Sequence, residues 1–261
     1  MSAHACRDDY EALCERVRLL CGVDLLQYER GQMERRVRTW AQRRGAASLP
    51  GYGDLLRRDP DELDAFVDRV TIDVSHLWRH EEQWDALQQD VLHEIAARSG
   101  RIRAWSAGSW NGAEAFTLAA VCREVVPEAP VTVVATDLDQ RMVTRARTGE
   151  FSAEDARSTP AMVLHRHFQP LEGGAWRASR ALRALVRFEL GDPLRMPIPK
   201  ARYDVIMGRN AGTGEVRDAL HARLVEALAP GGYLVVGASE GVADPRSLRL
   251  VRTHRFVYRK G

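Results

Sequence analysis

The sequence predicts an α/β protein in which a small N-terminal helical domain precedes a Rossmann-like domain with a mostly parallel sheet. In the first third of the 261-residue chain, apolar residues recur at helical spacing. From residue 101 onward, short β-branched apolar runs alternate with helical stretches, which is the pattern of a parallel sheet covered by helices. The tail "LRLVRTHRFVYRK" indicates two further strands at the edge of that sheet.

The composition, with 45% hydrophobic and 28% charged residues, is that of an ordinary globular protein. We expect a cytoplasmic protein with no membrane insertion, because no apolar run reaches about 18 residues and the N-terminal segment is charged where a signal peptide is apolar. The four cysteines form no CxxC pair, so we expect neither a metal site nor a disulfide framework. No long apolar heptad pattern stands out, and we expect a monomer.

Apolar periodicity predicts two helices at the start of the chain, the first of which would end at Gly22. The second would bury Met33, Val37 and Trp40 in a segment, residues 29–44, that contains six arginines and two glutamates. This excess of positive charge favours an acidic partner over a nucleic acid, since few aromatic residues are interleaved and the net charge is only +2. The alternative is an ordinary solvated helix face. The arginines opposite the apolar face are Arg35, Arg36, Arg38 and Arg43.

The next segment, "GAASLPGYGDLLRRDPDEL", is rich in proline and glycine and predicts an irregular connection. Helical patterns resume in "DELDAFVDRV" and in "EEQWDALQQDVLHEIAARSG", which ends at Gly100. We place the domain boundary within this last helix. The predicted domains are therefore a helical domain over residues 1–85 and a second domain over residues 86–261.

Five apolar runs predict the strands of the second domain: "RIRAWS", "VTVVAT", "VRFEL", "YDVIM" and "YLVVG". Ligands of open parallel sheets bind beyond the carboxyl ends of the strands. After the first run, Ala107, Gly108 and Gly112 belong to a short loop that leads into the helix containing Glu114. Glycine lets a ligand approach the backbone, and a helix N-terminus offers free N–H groups. The loop lacks the G-x-G-x-x-G pattern, which disfavours a dinucleotide oxidoreductase; the alternative is a tight turn.

The second and third runs are followed by acidic residues. Asp137 is the candidate to accept hydrogen bonds from ribose hydroxyls, beside Leu138. Asp139 is the second candidate for that role, unless it caps the helix that follows. After the third run come Asp192 and Pro193, where a carboxylate either accepts from an adenine amino group or forms a turn.

The fourth run leads to Arg209 and Asn210. An arginine and an amide at a strand end are suited to hold the carboxylate and the amine of a ligand, and a structural loop is the alternative. No histidine is a candidate general base. We interpret His76 and His80, on either side of Arg79, as solvent-facing residues.

Together, these segments resemble the CheR-type chemotaxis receptor methyltransferases over nearly the whole chain. "LLQYERGQMERRVRTWAQRRG" resembles the family's arginine-bearing N-terminal helix, and "VTIDVSHLWRHEEQWDAL" resembles its linker motif. "IRAWSAGSWNGAEAFTLAA" resembles the family's W-S-A-G-C-S-T-G-E-E-P-Y-S-L-A. Further matches are "ATDLD", "ARTGEF", "GRN" and "LAPGGYLVVGASEG".

The resemblance implies a Rossmann-like methyltransferase domain that transfers a methyl group from S-adenosylmethionine to receptor glutamates and leaves S-adenosylhomocysteine. It implies catalytic roles for Arg79, which reaches the cofactor from the linker, and for Asn210, near the sulfonium. It also implies that the arginine-bearing helix binds the acidic methylation region of a chemoreceptor or a related signalling protein. The predicted cofactor-binding residues are Ser75, Arg79, Ala107, Gly108, Glu114, Asp137, Leu138, Asp192, Pro193, Arg209 and Asn210.

The sequence departs from the family pattern in two segments. In the first, Ser109, Asn111 and Ala115 replace a cysteine, a threonine and a proline. Ala113 replaces the first of two adjacent glutamates. The family's R-N-V-x-I-Y-F is "RNAGTGE" here, so that Gly214 replaces a tyrosine near the transferring methyl and Glu215 replaces a phenylalanine. An aromatic wall excludes water and orients the acceptor. The alternatives are therefore a methyltransferase for a different protein or a small acid, or a degenerate regulator that binds cofactor or receptor without catalysis.

Overall fold

The structure, a computed structural model, describes residues 8–21, 23–27, 30–71, 76–209, 214–237 and 240–261. The chain divides into two compact units, Met1–Val74 and Ser75–Gly261. The predicted boundary at residue 85 lies within the second unit, because the segment that precedes it hydrogen-bonds into that unit. There the Leu77 N–H donates to the Asp155 carbonyl at 2.9 Å, and the Trp78 N–H donates to the Thr117 hydroxyl at 3.1 Å.

The described part of the first unit is helical, as predicted. Its second helix buries Met33 and Val37, but the Trp40 side chain is only partly buried, and its indole N–H donates to the Glu62 carboxylate at 3.2 Å. Burial alone would raise the pKa of Glu62, but hydrogen bonds from Arg44 and its other partners hold the pKa below its ordinary value. The helices are α1 (Asp9–Cys21), α2 (Arg30–Arg43), α3 (Leu49–Arg58) and α4 (Pro60–Thr71).

Helix α3 lies where the sequence predicted an irregular connection, so that prediction was wrong. The Ser48 side chain caps the helix by accepting from the Gly51 N–H at 3.2 Å. Pro50 is tolerated because the first turn of a helix needs no N–H donor. Gly53 lets α3 approach α1 closely, since a Cβ at this position would lie 3.1 Å from the Leu13 side chain. The proline and glycines here mark a helix start and a close helix contact.

The second unit contains a seven-stranded sheet of order β6-β2-β1-β7-β8-β10-β9. The first five strands in that order run parallel, whereas β10 and β9 pair antiparallel at one edge, as the sequence predicted. A separate antiparallel sheet has the order β3-β5-β4. The strands are β1 (Ile102–Ala107), β2 (Val131–Asp137), β3 (Glu150–Phe151), β4 (Phe168–Pro170), β5 (Trp176–Ala178), β6 (Val186–Leu190), β7 (Tyr203–Gly208), β8 (Leu228–Val236), β9 (Leu250–His254) and β10 (Val257–Lys260).

Helices cover both faces of the seven-stranded sheet. Neighbouring residues of β1, Ala104 and Trp105, belong to different buried clusters, because side chains alternate between the faces of a strand. The predicted helix before β1 is present, with a π-helical segment, Leu87–Val91, between α5 and α6. The helices are α5 (Glu81–Ala86), α6 (Leu92–Ser99), α7 (Ala113–Val125), α8 (Gln140–Thr148), α9 (Ala153–Ala156), α10 (Ala161–His167), α11 (Arg180–Arg183) and α12 (Gly214–Ala227).

The described residues offer neither a membrane-spanning helix nor a metal-binding cluster. None of the helices in these residues is both long and apolar enough to cross a bilayer. The same part of the chain holds no cluster of three or more His, Cys, Asp or Glu side chains arranged to bind a metal ion. Cys14, Cys21 and Cys122, which belong to this part of the chain, are not joined by disulfide bonds.

Candidate functional site

The order of the strands reverses at the centre of the large sheet. From β1 the sheet extends through β2 to β6, and the chain then returns to place β7 on the other side of β1. Open α/β sheets bind ligands at such a switch point, beyond the carboxyl ends of the strands. The residues predicted from the strand ends therefore share one edge of the sheet. Those that the structure describes there are Ala107, Gly108, Glu114, Asp137, Leu138, Asp192, Pro193 and Arg209.

The loop after β1 is tied to the end of β2. The N–H groups of Gly108 and Ser109 both donate to the Thr136 carbonyl at 2.9 Å. The next N–H, that of Trp110, donates to the Asp137 carboxylate at 2.7 Å. These bonds hold the loop in a single shape at the switch point.

The two glycines of this loop have different environments. Gly108 adopts a φ of +79°, and a Cβ there would meet no heavy atom within 4 Å. Gly112 adopts a φ of +84°, but a Cβ there would lie 2.9 Å from the Phe188 ring. Gly108 thus faces open space that a ligand could occupy, whereas Gly112 is required by packing.

Asp137 and Asp139 have separate roles in the structure. The second oxygen of the buried Asp137 carboxylate accepts from the Asp139 N–H at 3.0 Å. Burial raises the pKa of Asp137, and the N–H donors oppose that shift. A carboxylate has about four lone-pair sites, so acceptor capacity is left for ribose hydroxyls. Asp139 caps α8 by accepting from the Arg141 N–H at 2.8 Å.

Two exposed leucines lie at neighbouring strand ends. Leu138 follows β2 and is 54% exposed, and Leu190 ends β6 and is 53% exposed. Leu190 pairs in register with Asp137, which places it beside the end of β2. Two exposed apolar side chains at a ligand-binding edge suit a flat apolar ring. Leu190 was not among the predicted site residues, although it is the last residue of a predicted strand.

Asp192 forms a turn in the structure. Its carboxylate accepts from the Leu194 N–H at 2.8 Å, across Pro193, and its carbonyl accepts from the Met196 N–H at 2.8 Å. This is the alternative that the sequence left open. An adenine contact of the Asp192 carboxylate stays a prediction.

A buried ion pair joins the start of α7 to the end of β7. One oxygen of Glu114 accepts from the Ser106 hydroxyl at 2.6 Å, and the other lies 3.3 Å from Arg209 Nε. The Nε contact lacks hydrogen-bond alignment, so it is an electrostatic contact. Burial raises the pKa of Glu114 and lowers that of Arg209, and the attraction between the two charges opposes both shifts.

The segment around Arg79 has an unusual backbone. Trp78 and His80 adopt φ values of +61° and +59°, a left-handed region that few residues other than glycine occupy. The Arg79 carbonyl between them accepts from the Trp84 indole N–H at 2.9 Å and from Arg209 Nη2 at 3.2 Å. The Arg209 guanidinium also lies over the Trp84 ring, 5.6 Å from its centroid. Trp84 lies in a helix that the sequence predicted, but it was not among the predicted site residues.

His76 and His80, which the sequence led us to interpret as solvent-facing, are both partly buried. Burial lowers the pKa of His76, and burial with the charge of Arg209 lowers the pKa of His80 to about 4. Both rings are therefore neutral at pH 7. The charge of Arg79 acts with that of Arg209 to oppose the effect of burial on the pKa of Glu114.

Ser75 and Asn210 lie outside the described residues, so their predicted contacts with the cofactor stay predictions. Residues 211–213 of the departing motif also lie outside. Gly214 begins α12 with a φ of +60°, and Glu215 is exposed.

The four arginines predicted on α2 differ in their contacts. Arg38 pairs with Asp9 at 2.9 Å and with Glu34 at 2.7 Å. Arg36 donates to a backbone carbonyl of α4 at 3.3 Å. Arg35 and Arg43 are exposed. Two of the four are therefore engaged within the first unit, and two present their charge to solvent.

Two family models match this chain, one for a helical domain and one for a cofactor-binding domain. The family model described as CheR methyltransferase, SAM binding domain, matches residues 73–257, and the one described as CheR methyltransferase, all-alpha domain, matches residues 8–71. The chain is 29% identical over 256 residues to a chemotaxis protein methyltransferase of Listeria monocytogenes, covering 97% of each chain. It is 28% identical to chemotaxis protein methyltransferase 1 of Pseudomonas aeruginosa, covering 91% of this chain and 92% of the relative. This chain belongs to the CheR methyltransferase family and is an S-adenosylmethionine-dependent methyltransferase.

Proposed function

We propose that this protein methylates glutamate carboxylates of a chemoreceptor or a related signalling protein. The observation that carries the proposal is the buried Glu114–Arg209 pair, joined to the Arg79 segment at the switch point of the sheet. The listerial and pseudomonad relatives, which are named chemotaxis protein methyltransferases, support the choice of acceptor.

The residues at this edge fit the cofactor chemically. The Glu114 carboxylate suits an ammonium group, and the Arg79 guanidinium suits a carboxylate. Asp137 has acceptor capacity for ribose hydroxyls, and the space beside Gly108 is open. When bound, S-adenosylmethionine supplies a methyl group on a positively charged sulfur. The exposed apolar side chains that suit the adenine ring are Leu138 and Leu190.

The chain's own contribution to the reaction is to bind, orient and exclude water. An acceptor glutamate is already ionised at neutral pH, so no side chain has to remove a proton from it. Because His76 and His80 are neutral at pH 7, the positive charge near the site comes from Arg79 and Arg209. Positioning in a dry site favours the approach of the negative acceptor.

For the acceptor surface we propose Arg35 and Arg43 as the main contacts on α2, because both are exposed. The pairing of Arg38 with Asp9 and Glu34 reduces the charge that it offers to a partner. The predicted catalytic role of Asn210, the contact of Ser75 and the cytoplasmic location all stay predictions.

The test is incubation of the protein with methyl-labelled S-adenosylmethionine and a chemoreceptor fragment that carries its methylation region. We expect base-labile methyl esters on the fragment, and none when the acceptor glutamates are replaced by glutamine. Cofactor binding without any ester would favour the non-enzymatic regulator, which Ala113 and the exposed Glu215 also motivate. Esters on free acids alone would favour a small-molecule methyltransferase.

A further inference from the structure

The Arg79 segment is a strained piece of backbone held at a functional site. Trp78 and His80, on either side of Arg79, both have a positive φ. Non-glycine residues persist in this conformation only where the surrounding structure over-determines it, and such residues cluster at ligand sites. The hydrogen bonds that hold this segment therefore fix the position of the Arg79 backbone, from which its side chain extends.

The segment is anchored just before Arg79 and at the Arg79 carbonyl. Before it, the N–H groups of Leu77 and Trp78 are bonded to the methyltransferase domain. At Arg79 itself, the carbonyl accepts from the Trp84 indole and from the Arg209 guanidinium. Trp84 is 0% exposed and Arg209 is 5% exposed, so water does not readily replace these donors.

We propose that Trp84 and Arg209 are positioning residues that fix the Arg79 backbone and thereby aim the Arg79 side chain at the cofactor. This inference rests on the proposed role of Arg79 in cofactor binding. It reassigns Arg209, which the sequence predicted as a direct ligand contact, to an indirect role.

The chemistry of the two donors supports the assignment. An indole has one N–H, and that of Trp84 is used on the Arg79 carbonyl. Arg209 spans two partners, with Nε near the Glu114 carboxylate and Nη2 on the Arg79 carbonyl. The guanidinium presents these contacts on separate nitrogens, whereas a lysine carries all its donors on one nitrogen. Arg209 thus couples the start of α7 to the Arg79 segment.

The first variant is Trp84→Phe, which keeps an aromatic ring beneath Arg209 and removes the indole N–H. We expect its affinity for S-adenosylhomocysteine, measured by calorimetric titration, to fall about tenfold, as for the loss of one buried hydrogen bond. The matched control is Trp40→Phe, which removes the indole bond to Glu62 in the other unit. We expect the control to lower the melting temperature but to leave affinity unchanged.

A double-mutant cycle with Arg79→Ala separates positioning from general destabilisation. If Trp84 acts through the Arg79 side chain, Trp84→Phe lowers affinity in the wild type but adds no further loss to Arg79→Ala. Its effect on the melting temperature persists in both backgrounds. Arg209→Lys keeps a positive charge beside Glu114. We expect it to lower affinity in the wild type and to add no further loss to Arg79→Ala, and it replaces Trp84→Phe in the cycle if that variant does not fold.

The outcomes distinguish this inference from the proposed function. If Arg79→Ala binds S-adenosylhomocysteine as tightly as the wild type, Arg79 does not hold the cofactor and the positioning role fails with it, whereas ester formation on the receptor fragment still tests the proposed function. If Arg79→Ala weakens binding but Trp84→Phe and Arg209→Lys bind normally, or lose affinity additively with Arg79→Ala, the positioning role is overturned and the cofactor site stands.

Discussion

At the scale of single residues, Asp137 combines a structural and a proposed binding role. Its carboxylate already holds the N–H groups of Trp110 and Asp139. We expect Asp137→Asn to weaken binding of S-adenosylhomocysteine by about 1–3 kcal/mol, because an amide offers one acceptor oxygen where the carboxylate offers two. Calorimetric titration measures this loss. Asp139→Asn is the control, since asparagine caps a helix as well as aspartate does, and equal affinity in both variants would place the ribose contact elsewhere.

The buried carboxylates also predict how binding depends on pH. Burial raises the pKa of Asp137 and of Glu114, so each takes up a proton at a higher pH than an ordinary carboxyl group, whose pKa is about 4. Because both are proposed to bind in the ionised form, affinity for S-adenosylhomocysteine should fall on acidification, and the fall should begin above pH ~4. Titrations at a series of pH values test this, and an affinity that stays constant down to that pH would contradict it.

At the scale of elements, the two glycines of the loop between β1 and α7 have different roles: Gly112 is needed for packing, and Gly108 leaves room for the proposed cofactor. Gly112→Ala forces an alanine into a left-handed conformation and against Phe188, 2.9 Å away. We expect it to lower the free energy of unfolding by about 2 kcal/mol, measured by urea denaturation. Gly108→Ala carries the same backbone cost without the clash, and its methyl group should reduce cofactor affinity. Equal stability of the two variants would show that the contact with Phe188 relaxes.

Helix α2 provides the second prediction at this scale. Replacing both Arg35 and Arg43 by alanine should raise the KM for a receptor fragment and make that KM less dependent on salt concentration. The reason is that exposed charges steer an acidic partner. Affinity for S-adenosylhomocysteine should not change. The control removes two charges from the same unit by replacing Arg57 and Arg58, which are exposed at the end of α3. If both double variants change the KM to the same extent, the net charge of the protein, and not the α2 surface, determines binding of the receptor fragment.

At the scale of the whole molecule, the partly buried histidines predict sensitivity to acid. The pKa of His80 is about 4 in the folded protein, below its ordinary value of 6.5. A depressed pKa contributes stability that is fully present above pH 6.5 and is lost as pH falls toward about 4, since the unfolded chain binds the proton more tightly. Asp137 and Glu114, whose pKa values are raised, act in the opposite direction. Their contribution to the stability of the folded protein falls as pH rises.

We therefore expect His80→Asn to flatten the decline in melting temperature between pH 6.5 and about 4. Asparagine tolerates the left-handed backbone at this position and does not titrate. Melting curves across this range, with wild type and variant in the same buffers, provide the measurement. An unchanged slope would assign the acid sensitivity to other groups.

Much of this architecture follows from local pattern alone. Alternating apolar runs predicted the five parallel strands and the two edge strands, because a strand buried by helices must be apolar along its length. The strand ends then placed Gly108, Asp137 and Arg209 at one edge, because parallel strands all finish on the same side. Local pattern did not predict α3. Its proline lies in the first turn, after the Ser48 cap, and its Gly53 allows close contact with α1.

Sequence patterns thus predicted the fold class and the family, which the structure and the family models confirm, and the sheet edge at which we propose that the cofactor binds. Only the folded structure shows that Arg209 and Trp84 both donate to the Arg79 carbonyl and that His80 is partly buried. The physical reason is separation along the chain. Periodicity and turn chemistry act between near neighbours, whereas Arg79 and Arg209 are 130 residues apart, and only the folded sheet brings them into contact.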